Sequence, residues 1–222
     1  MTRPWHRVTK LSTMMQISDK LKHLRCGVKG CNKNRRGLSP ICPGHELRKY
    51  RYGHVEGVAI SRKEYADELK DVQGFFSEHL DHPAITAATH FVQQWIDEAG
   101  RKEAKAGQRI FGRLAHSDVQ ALDVLVELCA VWLYSDRHPH ALIDDQRLTF
   151  ALARNAARLA KFERKTYNGN ETQKHPRPTE LKESGERIRG ALARFFINLN
   201  HALKAKAEKA KATHESLATP FI

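Results

Sequence analysis

Four residues have types and spacing suited to metal chemistry: Cys26, Cys31, Cys42 and His45, in the run CGVKGCNKNRRGLSPICPGH. Three of the four cysteines of the chain fall within 17 residues, and a histidine closes the set. Three thiolates with one imidazole form a common tetrahedral zinc set. Such a set leaves no coordination position open for water, so the expected Zn(2+) builds structure and performs no chemistry. Gly27, Gly30, Gly37, Pro40, Pro43 and Gly44 supply the bends that wrap a backbone around an ion. The competing readings are free thiols or a disulfide. A disulfide leaves one of three clustered cysteines unpaired, and residues 1–25 have no apolar centre of a secretory leader. His23 and His54 are the other candidate imidazoles. His45 is preferred because Cys-x2-His sets both ligands at the start of one helix. Cys129 lies in an apolar stretch with nothing ionic beside it, which is the setting of a buried small hydrophobe and not of a ligand or reactive thiol.

The run RCGVKGCNKNRRGLSPICPGHELRKYRYGHVEG, about residues 24–57, resembles a small zinc-binding motif found in bacteriophage and mobile-element proteins, some attached to HNH homing endonucleases. That motif has a cysteine pair, a Cys-x2-His and a basic aromatic helix. The resemblance implies Cys26, Cys31, Cys42 and His45 as ligands, and Arg48, Lys49, Tyr50, Arg51 and Tyr52 as a helix in contact with nucleic acid. The chain departs from the pattern at Pro43-Gly44, where a good helix former is usual, and the start of the helix is left open there.

The elements that must position this site read as almost all helix. The expected fold is mainly α: a small N-terminal zinc-binding module over residues 1–57, then a multi-helix domain over 58–222 with a long C-terminal helix. A short helix is expected after Ser18. A helix should run from Ser61 or Arg62 to about Leu80, with Tyr65, Leu69, Val72, Phe75, Phe76 and Leu80 at three- and four-residue steps. Asp81-His82-Pro83 breaks it, and Pro83 suits the first turn of the next, which fades near Gly100. Ser117 and Gln120 read as a capping box before VQALDVLVELCAVWLY, which is apolar on most sides and so the expected central helix. Asp144 or Asp145 should cap a helix that runs to about Lys165. Residues 167–178 read as a polar loop, and Thr179 should cap the last helix. Its near-heptad seam is Leu181, Ile188, Leu192, Phe195, Leu199 and Ala202. After Leu203 the run KAKAEKAKA has little to bury and should protrude.

Charge is unevenly spread along the 222 residues. Residues 1–56 hold 13 Lys/Arg against 3 Asp/Glu, a net of +10; residues 57–145 hold 9 against 15, a net of −6; residues 146–222 hold 16 against 7, a net of +9. Arg25, Lys29 and Lys33 partly balance a metal centre of three thiolates. The rest of the excess suits a polyanion. Candidate nucleic-acid contacts are Arg35, Arg36, Arg48, Lys49, Tyr50, Arg51 and Tyr52 around the finger. A second stripe of Arg147, Arg154, Arg158, Lys161 and Lys165 would lie along one helix, with Arg154, Arg158 and Lys161 its candidate contacts. No apolar run reaches the roughly 18 residues of a membrane helix, so a soluble protein of the bacterial cytoplasm is expected. His138, His140, Asp144 and Asp145 read as a helix break. There is no HNH pattern, phosphate loop, Gly-x-Ser-x-Gly or pair of catalytic acids, so an enzyme is not expected. Two function classes remain. One is a non-catalytic nucleic-acid-binding protein with scope for a regulatory role, DNA ahead of RNA. The other is a host-directed protein-interaction factor in which zinc is purely structural, a class that the acidic middle and the near-heptad seam favour.

Overall fold

The structure, a computed structural model, describes residues 24–101, 105–142, 144–160, 164–167, 170–173 and 175–218. The expected short helix after Ser18 and the candidate contact Lys161 lie outside the described residues. The chain divides into two compact units, residues 1–58 and 59–222.

In the first unit the cysteine-rich run folds as a small hairpin. Arg25 bridges Asn34 in antiparallel fashion, with the Cys26 amide on the Lys33 carbonyl at 2.9 Å and the Arg35 amide on the Leu24 carbonyl at 2.8 Å. The tip closes through the Cys31 amide on the Val28 carbonyl at 3.1 Å. The chain returns so that the Gly27 amide meets the Pro40 carbonyl at 3.0 Å, then enters α1 (Pro43–Tyr52). Cys42 is the extended N-cap residue and Pro43 follows at the first helical position. Proline has no N–H to lose there and a φ already set for helix. The Pro-Gly pair between the last two ligands is therefore a helix start and not an interruption. Glu46 in the first turn and Lys49 and Arg51 in the last complement the helix dipole. Gly53 ends α1 at φ 77°, with its amide on the Lys49 carbonyl, a left-handed cap that glycine takes without steric cost. No residue of α1 is buried, so apolar packing does not hold it in place.

The second unit is a helical bundle with one small hairpin. Its elements are α2 (Ala66–Glu78), α3 (Pro83–Arg101), a 3-10 turn (Ala106–Gln108), α4 (Arg109–Ala115), α5 (Ala121–Arg137), α6 (Asp145–Leu159), β1 (Arg164–Tyr167), β2 (Asn170–Gln173) and α7 (Pro178–Ala218). α5 is the central helix, as its all-round apolar sequence predicts. It packs on α2, α3 and α6 and buries Val124, Leu125, Leu128, Cys129 and Val131 almost completely. Burial pushes the Cys129 thiol well above its ordinary value, which leaves an inert small hydrophobe.

Several local expectations change. Ser117 does not cap α5: its hydroxyl donates to the Arg113 carbonyl at 2.7 Å, closing α4, and Gln120 is the N-cap without a side-chain bond. α2 begins at Ala66 because Ser61 and Glu64 first form their own turn, with the Ser61 amide on the Glu64 carboxylate at 2.6 Å. α6 starts as expected, the Arg147 amide on Asp144 Oδ1 at 2.6 Å, but stops at Leu159 with Ala160 extended. Residues 164–173, expected as helix end and loop, form the β1–β2 hairpin, with Arg164 opposite Gln173 and Tyr167 opposite Asn170. The sequence between the paired strands is Asn-Gly, a pair that favours two-residue hairpin connections. On α7 the buried row is Leu181, Ile188, Leu192, Phe196, Leu199 and Leu203, not Phe195 and Ala202. Six turns at about 3.6 residues advance nearly 22 residues, from 181 to 203, whereas a supercoiled 3.5 repeat reaches 202. The row is that of a straight helix on a globular core.

α7 approaches α6 closely at Gly185, where an added Cβ would stand 2.1 Å from the Thr149 carbonyl oxygen. Beside it the Ser184 hydroxyl donates to the Gly107 carbonyl at 3.0 Å. Three buried carboxylates are paired within this unit. Glu180 meets Arg109 at 3.0 Å and Arg113 at 3.1 Å, Glu68 meets Arg137 at 3.5 Å, and Glu127 meets Arg62 at 3.5 Å. Part of the acidic middle of the chain thus faces inward.

Candidate metal centre

The hairpin and α1 bring Cys26, Cys31, Cys42 and His45 together. Their ligand atoms all lie within 4.8 Å of one another, and they are the one such group among the described residues. The sulfurs of Cys31 and Cys42 are 3.9 Å apart. His45 Nδ1 lies 3.2 Å from Cys26 Sγ and 3.4 Å from Cys42 Sγ. A tetrahedral ion with metal–sulfur bonds of about 2.3 Å has sulfur–sulfur edges of about 3.8 Å, and slightly shorter sulfur–nitrogen edges. The Cys31–Cys42 separation matches such an edge, and 3.9 Å is far beyond a disulfide bond. All four cysteines are free thiols. The donor set therefore fits a metal ion with four protein ligands.

Each ligand is placed by a local feature. Cys26 sits on the first arm of the hairpin and Cys31 just past its tip. Cys42 caps α1 and His45 follows in the first turn. The Cys42 amide also donates to Cys26 Sγ at 3.2 Å, a bond that favours a thiolate. Burial raises the Cys26 thiol, but the Val28 amide, the His45 ring, the Cys42 amide and the Cys31 thiol outweigh it and bring it down to about 6. At Cys31 the Lys33 amide pulls the thiol down. Burial and the neighbouring sulfurs of Cys26 and Cys42 prevail, so it stands above its ordinary value. Cys42 is 1% exposed, and Cys31 and His45 are half-buried. Once all four coordinate, nothing remains for a substrate.

The spare histidines serve elsewhere. His54 Nδ1 accepts from the Glu56 amide at 3.2 Å, and His23 lies outside the described residues. His138 faces Glu68 at 3.5 Å and packs on Tyr134. His79 stacks on Phe75 at 4.4 Å.

The candidate nucleic-acid contacts divide. Arg36, Arg48, Lys49, Tyr50 and Arg51 are exposed, and Tyr52 is half-buried. Arg35 is half-buried, and its Nε donates to the Arg25 carbonyl at 2.7 Å, where it braces the hairpin. The expected stripe on α6 does not stand as a free row. Arg147 is buried, Arg154 is half-buried, and Lys165 is on β1 beyond the helix. Arg158 is exposed, and one of its guanidinium nitrogens donates to the Ile60 carbonyl and to Asn155 Oδ1, both at 2.7 Å. Lys29 and Lys33, read from sequence only as charge balance for the thiolates, line a cleft at the metal centre with Arg48. Their spacing on either side of Cys31 was the available signal.

No family model, curated protein or solved structure matches the chain. Among the described residues no helix is long and apolar enough to cross a membrane.

Proposed function

We propose that the ion is Zn(2+) and that the N-terminal unit is a zinc finger which binds nucleic acid, DNA ahead of RNA, without catalysis. The observation that supports this reading most is α1. It buries none of its own residues, it is anchored at its first turn by two ligands of the metal centre, and it carries Arg48, Lys49 and Arg51 exposed. A helix fixed by metal and not by packing holds its cations on a rigid base while leaving its surface free. The net charge of +10 over residues 1–56 gives it the electrostatic footprint of a polyanion binder. The resemblance to phage and mobile-element zinc-binding proteins supports contact with nucleic acid.

Zinc is the ion of choice because three thiolates and an imidazole in a tetrahedron suit it, and its filled d shell imposes no other geometry. Metal analysis of protein purified without chelator should give one zinc per chain; clearly less than half an equivalent refutes this. The nucleic-acid reading is tested by titration at several salt concentrations, wild type against the Arg48/Lys49/Arg51 triple alanine. On B-DNA the logarithmic salt slope falls by about 0.9 for each phosphate that is no longer neutralised. Absence of affinity for any DNA or RNA at low salt, or equal binding by the triple variant, removes the reading.

A second reading has its own support. Leu38, Leu47 and Tyr50 are large apolar side chains left 62%, 47% and 58% exposed on the same unit. A finger that docks on a host protein would use them. A stoichiometric protein partner that survives nuclease treatment would bring this reading to the front.

A further inference from the structure

Beside the metal centre the first unit has a cleft of about 430 Å³, lined by Lys29, Gly30, Lys33, Gly44, Arg48 and Glu56 together with three of the metal ligands. Its walls come from separate parts of the unit: the hairpin tip carries Lys29, the second arm carries Lys33, and α1 carries Arg48. The volume lies in the range of small-ligand sites. We infer that this cleft seats a single phosphodiester group of the bound nucleic acid, held jointly by Lys29, Lys33 and Arg48. This inference rests on the nucleic-acid reading above.

Three observations carry it. The first is charge. Three cations face one carboxylate, Glu56, in the cleft. A divalent ion bound by three thiolates and a neutral imidazole adds −1, so the cleft has an excess of one positive charge. A phosphodiester carries one negative charge. The second is access. An added Cβ at Gly30 would meet nothing within 4 Å, and at Gly44 it would meet only Cys42 Sγ at 3.9 Å, so both glycines leave backbone open to the cleft. Gly44 also lies in the first turn of α1, where amides have no intrahelical acceptor and the dipole favours an anion. The third is direction. At about 100° per residue, Arg48 lies about 60° from His45 on the side of Gly44, whereas Tyr50 lies about 140° away on the other side. Tyr50 faces away from this cleft. Of the three cations on α1, Arg48 lines the cleft with the two hairpin lysines, and Lys49 and Arg51 stand outside its lining.

The shared seat has a salt-dependence of its own. If three cations hold one phosphate, removing all three frees one phosphate. Zinc-loaded full-length Lys29→Gln/Lys33→Gln/Arg48→Gln protein should bind about tenfold or more weaker than wild type at fixed salt. Its salt slope should fall by only about 0.9 on duplex DNA, or about 0.7 on single strands. A fall near three times that size would mean three separate phosphates and would overturn the shared seat. So would wild-type affinity in a variant that keeps its metal. Short duplex DNA, oligothymidine and oligouridine serve as probes, and their order of affinity tells which nucleic acid supplies the phosphate. Should the triple variant lose its metal, amide shifts of wild-type protein decide. Titration with oligothymidine should move the Gly30 and Gly44 resonances; shifts confined to the Tyr50 side of α1 overturn the inference. Loss of binding in the Arg48/Lys49/Arg51 variant with no change in the cleft variant sinks the inference alone. Absence of binding by wild type sinks it together with the function it rests on.

Discussion

Gly185→Ala adds one methyl group where α7 meets α6. That carbon would stand 2.1 Å from the Thr149 carbonyl oxygen, 2.7 Å from its Cγ2 and 2.8 Å from its carbonyl carbon. An ordinary contact needs more than 3 Å, so the helices must part by about an ångström. Neither side yields easily. The obstruction is helix backbone, and Arg189 one turn on ties α7 to Asp145 at 2.8 Å and to the Thr149 hydroxyl at 3.1 Å. Overpacking of this kind costs about 1–3 kcal/mol, and a backbone obstruction belongs at or above the upper end. Alanine returns about 1 kcal/mol of helix propensity. The net is a loss of about 2 kcal/mol. For a unit of this size that lowers Tm by about 4–8 °C. Gly190, five residues along the same helix, is the internal control. An added Cβ there meets nothing within 4 Å and the residue is exposed, so Gly190→Ala should gain about 0.5–1 kcal/mol from propensity alone. The assay is thermal and urea unfolding followed by far-ultraviolet circular dichroism, with metal kept saturating. Opposite signs for the two variants are expected. If Gly185→Ala is as stable as wild type, or both variants shift upward together, the close approach of α6 and α7 is wrong.

The remaining expectations concern the metal, the buried polar cluster and the end of α7. Cys31→Ser should lose the metal and unfold the first unit while most of the helical signal persists, because the second unit has its own apolar core; one cooperative loss of all helix would contradict that division. Metal affinity should rise with pH. The Cys31 thiol lies above its ordinary value and must give up its proton to bind, whereas Cys26, near 6, has already lost its own above neutrality. Competition with a chromophoric chelator between pH 7 and 8 should show at least about a tenfold gain per unit, corresponding to one proton released, and a flat profile would exclude it. Tyr65→Phe should cost about 2 kcal/mol, since the phenol donates to the buried carboxylate of Glu127 and meets Asn155 Oδ1 at 3.2 Å; an unchanged urea midpoint would mean the cluster adds nothing. The Lys204–Asp136 and Lys206–Glu78 pairs hold the exposed end of α7, and their lysines hold both carboxyls below their ordinary values. Depressed carboxyls stabilise above their unfolded values and lose that effect as pH falls through the folded ones. Amide exchange near residues 200–210 should therefore accelerate below about pH 4, and exchange independent of pH after correction for intrinsic rates would count against the pairs.

What the sequence determined by itself was local. Four ligands of suitable type within twenty residues mark a candidate metal centre whichever way the rest of the chain folds, because a bound ion supplies ordering energy and needs only short loops to close. Pro83, Asp144 and the all-round apolar run of α5 likewise mark helix starts and a buried helix through nearest-neighbour chemistry. Pro43-Gly44 left the start of the helix open on sequence and is that start, since proline is unfavourable inside a helix and favoured at its first residue. Other outcomes depended on distant partners. Arg158 looks like one more cation in a stripe, but it also donates to the Ile60 carbonyl, 98 residues earlier in sequence. Phe195 and Phe196 are equal candidates on paper, and only a straight helix against this core chooses Phe196. Lys29, Lys33 and Arg48 belong to one cleft because the hairpin folds against α1. Gly185 and Gly190 read alike along the chain. Only the tertiary structure shows that one is pressed against a carbonyl and the other faces open space, because sequence carries each residue's chemistry while packing decides what stands opposite it.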